Sequence, residues 1–169
     1  MRAVQERRAV SSLRAVSPLA LGIAAAVIVV DHLTKWWALN TLDDHNIDLV
    51  WTLRLNLVRN AGGAFGLGSR FAPLFALAAL TMVLFLFGSG RAFTSRWSQV
   101  AVGLVMGGAI GNLLDRLFRH GHGFLGGRVV DFIDTQRWPV WNVADMAVSI
   151  GAVLLALTAT AGETSDTDE

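Results

Sequence analysis

Four long apolar runs divide the chain, and each is close to the length of a helix that crosses a membrane. They are Pro18–Leu39, Phe71–Gly90, Trp97–Leu114 and Trp138–Gly162. The second and third carry no charge, and the fourth carries only Asp145, near its beginning. Because the hydrocarbon core of a bilayer needs about 20 mostly apolar residues, the pattern predicts four transmembrane helices. Ser17 followed by Pro18 is typical of an N-cap and first helical residue, so we expect the first helix to begin there.

Two of the connecting segments have the pattern of strands. Thr52–Leu57 alternates polar and apolar residues, and Arg128–Ile133 is a β-rich run that follows two glycines. The predicted fold is therefore an all-α integral membrane protein with four transmembrane helices and a small extracytoplasmic β-sheet. The predicted organisation is an N-terminal cytoplasmic arm (1–16), a membrane domain (17–162) and an acidic cytoplasmic tail (163–169).

Arginines suggest the orientation, although their total number does not decide it. An even number of spans places both termini on one side, and the segments on that side carry six arginines against seven in the other two loops. The four arginines before the first helix, which usually dominates, favour cytoplasmic termini. The first run is expected to be a retained helix rather than a removed signal peptide, because no small-residue cleavage site follows it.

Composition narrows the classes of protein. Apolar residues make up 53% of the 169 residues and charged residues 16%, and the net charge is +1. A net charge this small does not indicate the strongly positive surface that binds nucleic acid. The chain contains no cysteine, so a disulfide framework, a thiol nucleophile and a thiolate metal site are excluded.

Ionisable residues cluster at one end of the predicted helices, which is the main clue to chemistry. Asp31 with Lys35, Asp115 with Arg116, Asp131 and Asp145 all fall near the outer ends of the spans. Such residues are costly in a membrane and are candidates for function. Asp31 and Lys35, spaced i, i+4, form either a structural ion pair or the polar wall of a site. Asp115 and Arg116 are expected to end the third helix, as an interface anchor or as part of the site.

Small and amide residues accompany these charges. Gly103, Gly107 and Gly111, with Gly108 beside them, are spaced for close helix packing, and Asn112 lies one turn beyond Gly108. Asn60 begins a glycine-rich loop that includes Gly62. His120 and His122 lack a third ligand at suitable spacing, so we predict no metal.

Two other classes of membrane protein use intramembrane carboxylates. A small transporter or channel would place them near mid-membrane, whereas these cluster at one end. A metal-dependent lipid phosphotransferase would place them at metal-ligand spacing, whereas these lie on distant segments. Motifs for serine enzymes, zinc proteases and Walker loops are absent.

Five motifs in order resemble the lipoprotein signal peptidase (signal peptidase II) family over about residues 18–160. They are Asp31-x-x-x-Lys35, Arg59-Asn60-Ala61-Gly62-Gly63-Ala64-Phe65, Gly107-Gly108-Ala109-Ile110-Gly111-Asn112-Leu113-Leu114-Asp115-Arg116, Val129-Val130-Asp131-Phe132 and Trp141-Asn142-Val143-Ala144-Asp145. The resemblance implies a metal-independent aspartic endopeptidase of the bacterial cytoplasmic membrane, without a cofactor, with both termini cytoplasmic and the active site on the outer face. Its expected substrates are diacylglyceryl-modified prolipoproteins, cut just before the lipidated cysteine; membrane lipid and globomycin-type inhibitors are its other expected partners.

The resemblance also assigns roles to residues. Asp131 and Asp145 would be the catalytic pair, Asp115 would be structural, and the nearest rival, Asp134, would take no part because the Val-Val-Asp-Phe match selects Asp131. The residues expected to bind substrate or support the site are Asp31, Lys35, Asn60, Gly62, Gly108, Asn112, Arg116, Asn142 and Ala144. Gly63 departs from the alanine usual in the family and is expected only to loosen its loop.

Overall fold

A computed structural model describes residues 16–62, 71–121 and 123–163. Along the chain, the elements are α1 (Pro18–Thr41), β1 (Ile47–Val50), β2 (Leu53–Asn60), α2 (Ala72–Gly88), a 3₁₀ turn (Gly90–Ala92), α3 (Arg96–Phe118), β3 (Val129–Asp134) and α4 (Val143–Glu163). The strands lie in the connections after α1 and after α3, so the sheet sits at one end of the helices, called here the sheet end. The N-terminal arm, the end of the acidic tail, Gly63 and His122 lie outside the described residues.

The mostly helical fold with a small sheet is confirmed, and three of the described helices have the length and composition of membrane spans. These are α1, α3 and α4, whereas α2 has 17 residues and is shorter. At 1.5 Å per residue, α2 is about 26 Å long, against a hydrocarbon core of about 30 Å. Large apolar side chains face outward on three helices: Val29, Val30 and Leu33 on α1, Leu84, Phe85 and Phe87 on α2, and Ile150, Val153 and Leu157 on α4. An apolar outer surface of this extent is that of a membrane protein.

The start of α1 agrees with its predicted cap. The side chain of Ser17 accepts a hydrogen bond from the backbone N–H of Ala20 at 3.1 Å, and Pro18 occupies the first turn, where a missing N–H costs nothing. Ser95 caps α3 in the same way, accepting from the N–H of Ser98 at 3.0 Å.

Helix α3 is the central helix of the bundle, and its glycines make that position possible. A methyl group added at Gly103 would lie 2.6 Å from the carbonyl oxygen of Ala20 in α1, and one added at Gly108 would overlap the carbonyl oxygen of Ala144 in α4. The packing interpretation of the glycine spacing is therefore confirmed. Because α1 and α4 pack closely on two sides of α3, polar groups on all three helices meet at its sheet end.

The sheet has three antiparallel strands in the order β1-β2-β3. Two of them match the predicted strand runs, with bounds shifted by a few residues, while β1 was not predicted. Phe132 of β3 packs with Ala38 of α1 and with Leu42, which caps the end of that helix, and its ring meets Trp37 edge-on at 6.5 Å. The sheet is thereby held against the end of α1.

Two predicted helix ends are wrong. The fourth helix begins at Val143 rather than at Trp138, because the backbone of Trp141 pairs with Ile133 of β3, with N–H to O distances of 2.9 and 3.0 Å. Asp115 and Arg116 do not end the third helix, which continues to Phe118. The helix continues because buried partners balance the charge of Asp115, as described below.

Candidate active site

The first turn of α4 is closed by two side chains that cap each other. The side-chain oxygen of Asn142 accepts from the N–H of Asp145 at 2.9 Å, and Asp145 Oδ2 accepts from the N–H of Asn142 at 3.3 Å. This reciprocal arrangement is a capping box. It fixes the carboxylate of Asp145 at the N-terminal end of α4, where the helix dipole favours a negative charge.

Asp131 reaches the same place from β3. Its Oδ1 accepts from Asn142 Nδ2 at 2.7 Å, and its Oδ2 accepts from Asn60 Nδ2 at 2.9 Å. Asn142 therefore contacts both aspartates, by its amide group and its backbone N–H. The structure brings Asp131 and Asp145 together from segments 14 residues apart.

Asn60 is itself oriented by Gly62. The N–H of Gly62 donates to Asn60 Oδ1 at 2.9 Å, which turns the NH₂ group of that amide towards Asp131. Gly62 has a φ of 119°, a conformation that side-chain-bearing residues rarely adopt. An added methyl group there would also lie 2.8 Å from the Cβ of Ala72, so glycine is required both by backbone conformation and by space.

A buried lysine sets the direction of the hydrogen bond that Asn112 makes with Asp145. Lys35 Nζ donates to Asn112 Oδ1 at 3.0 Å and lies 2.8 Å from Asp31 Oδ2 and 2.9 Å from Asp115 Oδ2. An ammonium group can only donate, so the oxygen of Asn112 must face Lys35 and its NH₂ group must face away. That NH₂ group donates to Asp145 Oδ1 at 2.7 Å.

Asp31 and Asp115 lie behind the aspartate pair and are almost completely buried. Asp31 Oδ1 accepts from the N–H of Ala144 at 3.0 Å, which satisfies a second free donor at the start of α4. Gly111 leaves the space for this contact, since a methyl group there would lie 2.7 Å from Asp31 Oδ2. The Asp31–Lys35 pair is thus a buried ion pair that positions α4, and it does not line the cavity described below.

The interpretation of Asp115 as an anchor at the membrane interface is wrong, because its side chain is buried. Besides Lys35, its carboxylate accepts from Arg119 Nε and from the N–H of Val130, the latter at 3.3 Å. Sequence reasoning missed Arg119, although the i, i+4 spacing of these two residues was a usable signal. Asp115 therefore ties α3 to both α1 and β3.

Both aspartates of the pair line a cavity of about 620 Å³. The other predicted site residues on its wall are Asn60, Asn112 and Arg116, whereas Asp31, Lys35, Gly62, Gly108, Asp115, Asn142 and Ala144 lie behind them. The remaining wall is mainly apolar and comes from α2, α3 and α4, with Phe75, Met82, Val105 and Val148 among its members, and also from Val129 of β3 and the segment 138–141 before α4. The cavity thus joins a polar end at the sheet to an apolar groove between helices.

The electrostatics of Asp131 favour a retained proton. Burial raises its pKa, and the nearby charge of Asp145 raises it further; hydrogen bonds from Asn60 and Asn142 and the charge of Lys35 act in the opposite direction, and the net pKa is about 7. Two neighbouring carboxyl groups in a poorly hydrated site do not readily ionise together. The arrangement can therefore hold one proton on the pair near neutral pH, as general acid–base catalysis requires.

Asp134 occupies a different environment from Asp131. It is three residues further along β3, on the other side of the strand, and it accepts from Arg54 Nε at 2.7 Å and from the N–H of Gln136 at 2.6 Å. Burial acts to raise the pKa of Asp134, but these hydrogen bonds and that of Asn56 outweigh it and lower the pKa. His120 lies in a different cavity, and the described part of the chain contains no group of three or more potential metal ligands.

Comparisons with known proteins agree on one family. The family model described as "Signal peptidase (SPase) II" matches residues 23–161. The lipoprotein signal peptidase of Mycobacterium leprae is 39% identical over 151 residues, which cover 88% of this chain and 75% of that protein. The one of Mycobacterium avium is 40% identical over 151 residues, covering 88% and 82%. A solved bacterial membrane enzyme superposes with a TM-score of 0.72 at 29% identity, covering 87% of this chain and 90% of that one.

Proposed function

The chain belongs to the signal peptidase II family, and we propose that it uses Asp131 and Asp145 to remove signal peptides from prolipoproteins. Peptidase activity on prolipoproteins follows from the family. The single observation that carries the catalytic assignment is that these two carboxyl groups, both bonded to Asn142, line the same cavity at the end of an apolar groove.

Hydrolysis on this pair proceeds by general acid–base catalysis. Asp131, with its raised pKa, holds the shared proton, and Asp145 is the base that takes a proton from the attacking water as its oxygen bonds to the scissile carbonyl carbon. The proton of Asp131 passes to the carbonyl oxygen and stabilises the developing charge. The tetrahedral intermediate collapses when Asp145 protonates the leaving nitrogen, the C–N bond breaks and Asp131 recovers its proton.

The polar residues around the pair have positioning roles in this scheme. Asn142 and Asn112 hold Asp145, Asn60 holds Asp131, and the Lys35 ammonium keeps the Asn112 amide in the orientation that donates to Asp145. Gly62, Gly108 and Ala144 serve the backbone contacts that set these distances. Arg116 lies within electrostatic range of both aspartates, where a cation can bind the peptide carbonyl or a lipid ester oxygen of the substrate.

The groove supports a lipid-modified substrate. Its walls of Phe75, Met82 and Val148 come from helices whose outer faces are apolar, so acyl chains can remain in an apolar environment while the peptide reaches the aspartates. We therefore extend the proposal to diacylglyceryl-modified prolipoproteins cleaved before the modified cysteine, and to globomycin-type peptides as competitors for the same groove.

The proposal includes a topology. All four helices cross the cytoplasmic membrane of a bacterium, although α2, at about 26 Å, is slightly shorter than the hydrocarbon core of about 30 Å; both termini are cytoplasmic, and the sheet end faces outward. A substrate exported by its signal peptide then meets the aspartates on the outer face. The four N-terminal arginines support this orientation.

The experiment measures cleavage of a diacylglyceryl-modified prolipoprotein by the purified protein in detergent, with the same precursor lacking the lipid as the control. We expect cleavage of the lipidated form only, unaffected by excess EDTA. Equal rates on both precursors would contradict the lipid requirement. Loss of activity in EDTA that is restored by zinc or magnesium would contradict aspartate catalysis and favour metal-dependent chemistry.

A further inference from the structure

A second cavity at the sheet end has a different character from the one that the aspartates face. Its volume is about 590 Å³, and its lining includes Arg59, Arg119, Arg128 and His120, with no carboxylate among the lining residues that the structure describes. None of these described residues also lines the first cavity. A cavity lined by several guanidinium groups is suited to an anion.

The wall of this basic cavity is held by backbone contacts. Arg59 of β2 pairs across the sheet with Val130 of β3, and Arg128 lies in the loop just before that strand, two residues ahead of Val130. The N–H of Arg128 donates to the carbonyl oxygen of His120 at 3.3 Å. A methyl group added at Gly127 would lie 2.5 Å from the carbonyl oxygen of Asp115, so this segment is pressed against the end of α3. The arginines are therefore presented by a fixed backbone.

Stabilisation of the C-terminal end of α3 does not explain why Arg59, Arg119 and Arg128 lie together. Basic residues are common at helix C-termini, where they offset the helix dipole, and this explains Arg119 at the end of α3. Arg59 comes from a strand and Arg128 from the loop before β3. Neither belongs to the helix whose dipole would be offset.

A count of charges around the cavity leaves a positive excess. Arg59 pairs with Asp43 at 2.6 Å. Arg119 and Lys35 are balanced by Asp115 and Asp31 in the buried cluster. Arg128 has no ion pair with any other residue in the described ranges and is exposed, so it adds one uncompensated positive charge. That excess matches a ligand with one negative charge.

The surroundings of the cavity indicate that the anion is attached to an apolar group. Leu39 and Phe118 also line the cavity, and Phe118 is 81% exposed. Leu117 beside it is exposed as well, and so is Phe124 in the following loop. We infer that this cavity binds the phosphodiester headgroup of an anionic phospholipid through Arg59, Arg119 and Arg128, with the acyl chains lying against the apolar surface at the end of α3. Guanidinium groups bind phosphate oxygens by charge-assisted, often bidentate hydrogen bonds.

The experiment measures lipid binding by native mass spectrometry of the full chain in detergent. The probes are dioleoylphosphatidylglycerol, which carries one negative charge, and dioleoylphosphatidylcholine, which has the same phosphodiester but no net charge. The test variant is R128Q, and the matched control is R137Q, which removes the same charge from an exposed residue outside the cavity. Thermal unfolding of each variant checks its fold.

We expect the native chain to prefer the anionic lipid and R128Q to weaken its binding about tenfold, the loss of one charged hydrogen-bonding partner, while R137Q stays within about twofold of the native chain, as expected for an exposed charge outside the site. Equal binding of the two lipids, or equal weakening by R128Q and R137Q, would overturn the site. Displacement of the lipid by millimolar inorganic phosphate would overturn its assignment to a lipid headgroup. The measurement involves no peptide cleavage, so its failure would leave the catalytic proposal unaffected.

Discussion

Two groups of aspartates lie next to each other at the sheet end and differ in how their charge is balanced. In the buried cluster, Asp31 and Asp115 are paired with the cations of Lys35 and Arg119. In the cavity, Asp131 and Asp145 receive their hydrogen bonds from amide groups instead. Each carboxylate of the buried cluster has a cation in direct contact, whereas among the described residues neither Asp131 nor Asp145 has one, and two neighbouring carboxyl groups in that situation can share a proton. The difference separates the residues that stabilise the fold from those proposed to react.

The largest expected effect comes from replacing the proposed catalytic pair, Asp131 and Asp145. D131N and D145N each keep the shape of the side chain but cannot exchange the proton, so we expect turnover to fall by about 10²–10⁴-fold. The double variant should be little worse than either single one, because residues that act as a unit are not additive. The measurement is the initial rate of cleavage per mole of folded enzyme, with thermal unfolding recorded for each variant. A folded D145N with a near-normal rate would contradict the mechanism.

The buried cluster should respond in the opposite way, by losing stability. K35M leaves the carboxylates of Asp31 and Asp115 without their shared ammonium, and breaking a buried pair of this kind costs about 3–5 kcal/mol. Unfolding in detergent by heat or denaturant measures the loss. D43N is the control, because it breaks the exposed Asp43–Arg59 pair, for which we expect less than about 1 kcal/mol. Similar losses in both variants would show that the buried cluster is no more important to the fold than a surface pair.

The dependence of the cleavage rate on pH tests whether Asp131 and Asp145 share a proton. The proposed mechanism requires one proton on the pair of Asp131 and Asp145, so activity should fall as the pH rises through about 7, the pKa of Asp131. A more acidic limb should appear where the base becomes protonated, and the two apparent pKa values belong to the pair jointly. A rate that stays constant from neutral to alkaline pH would contradict the shared proton.

The same raised pKa makes a prediction about stability. Asp131 binds its proton more tightly in the folded protein than in the unfolded chain, so its contribution to stability is complete below the unfolded pKa of 3.8 and is lost as the pH rises through about 7. D131N has no such proton to lose. The difference in melting temperature between the native protein and D131N should therefore shift in favour of D131N as the pH is raised, and a constant difference would contradict the raised pKa.

The sequence predicted the parts of the molecule that depend on local pattern. The apolar runs, the cap at Ser17, the glycine face of α3 and two of the three strands follow from spacing and length. The start of α4 did not, because the segment 138–141 is as apolar as a helix, whereas the backbone of Trp141 pairs with Ile133 and the helix begins only at Val143. Apolar pattern does not reveal such long-range pairing.

The candidate site shows the same contrast between what local sequence pattern predicts and what long-range contacts determine. Charge position alone brought Asp31, Asp115, Asp131 and Asp145 into one region, but it did not distinguish a carboxylate held in an ion pair from one proposed to react. That distinction depends on partners remote in sequence, such as Lys35 with Asn112, 77 residues apart, and Asn60 with Asp131, 71 residues apart. Spacing could not make the assignment; the proposal that Asp131 and Asp145 are the catalytic pair rests on the motif resemblance together with these contacts.

The smallest expected effect is at Asp134, which tests whether the comparison extends along a single strand. Asp131 and Asp134 are both buried acidic residues of β3, but Asp134 accepts from Arg54, Asn56 and the N–H of Gln136, and its pKa is lowered rather than raised. D134N retains one oxygen for these donors and loses only the charge that Arg54 meets at 2.7 Å. Since Arg54 is partly exposed, we expect a loss of stability of about 1 kcal/mol and a cleavage rate within about twofold of the native rate, as for a residue away from the reacting atoms.

The experiment compares the initial rates of D134N and D131N, measured side by side on the lipidated precursor and normalised to folded protein, and so tests whether Asp134 takes part in catalysis. An inactive but folded D134N would transfer the catalytic role to the other side of the strand, because an uncharged amide at a purely structural position has no means of stopping turnover while the fold survives.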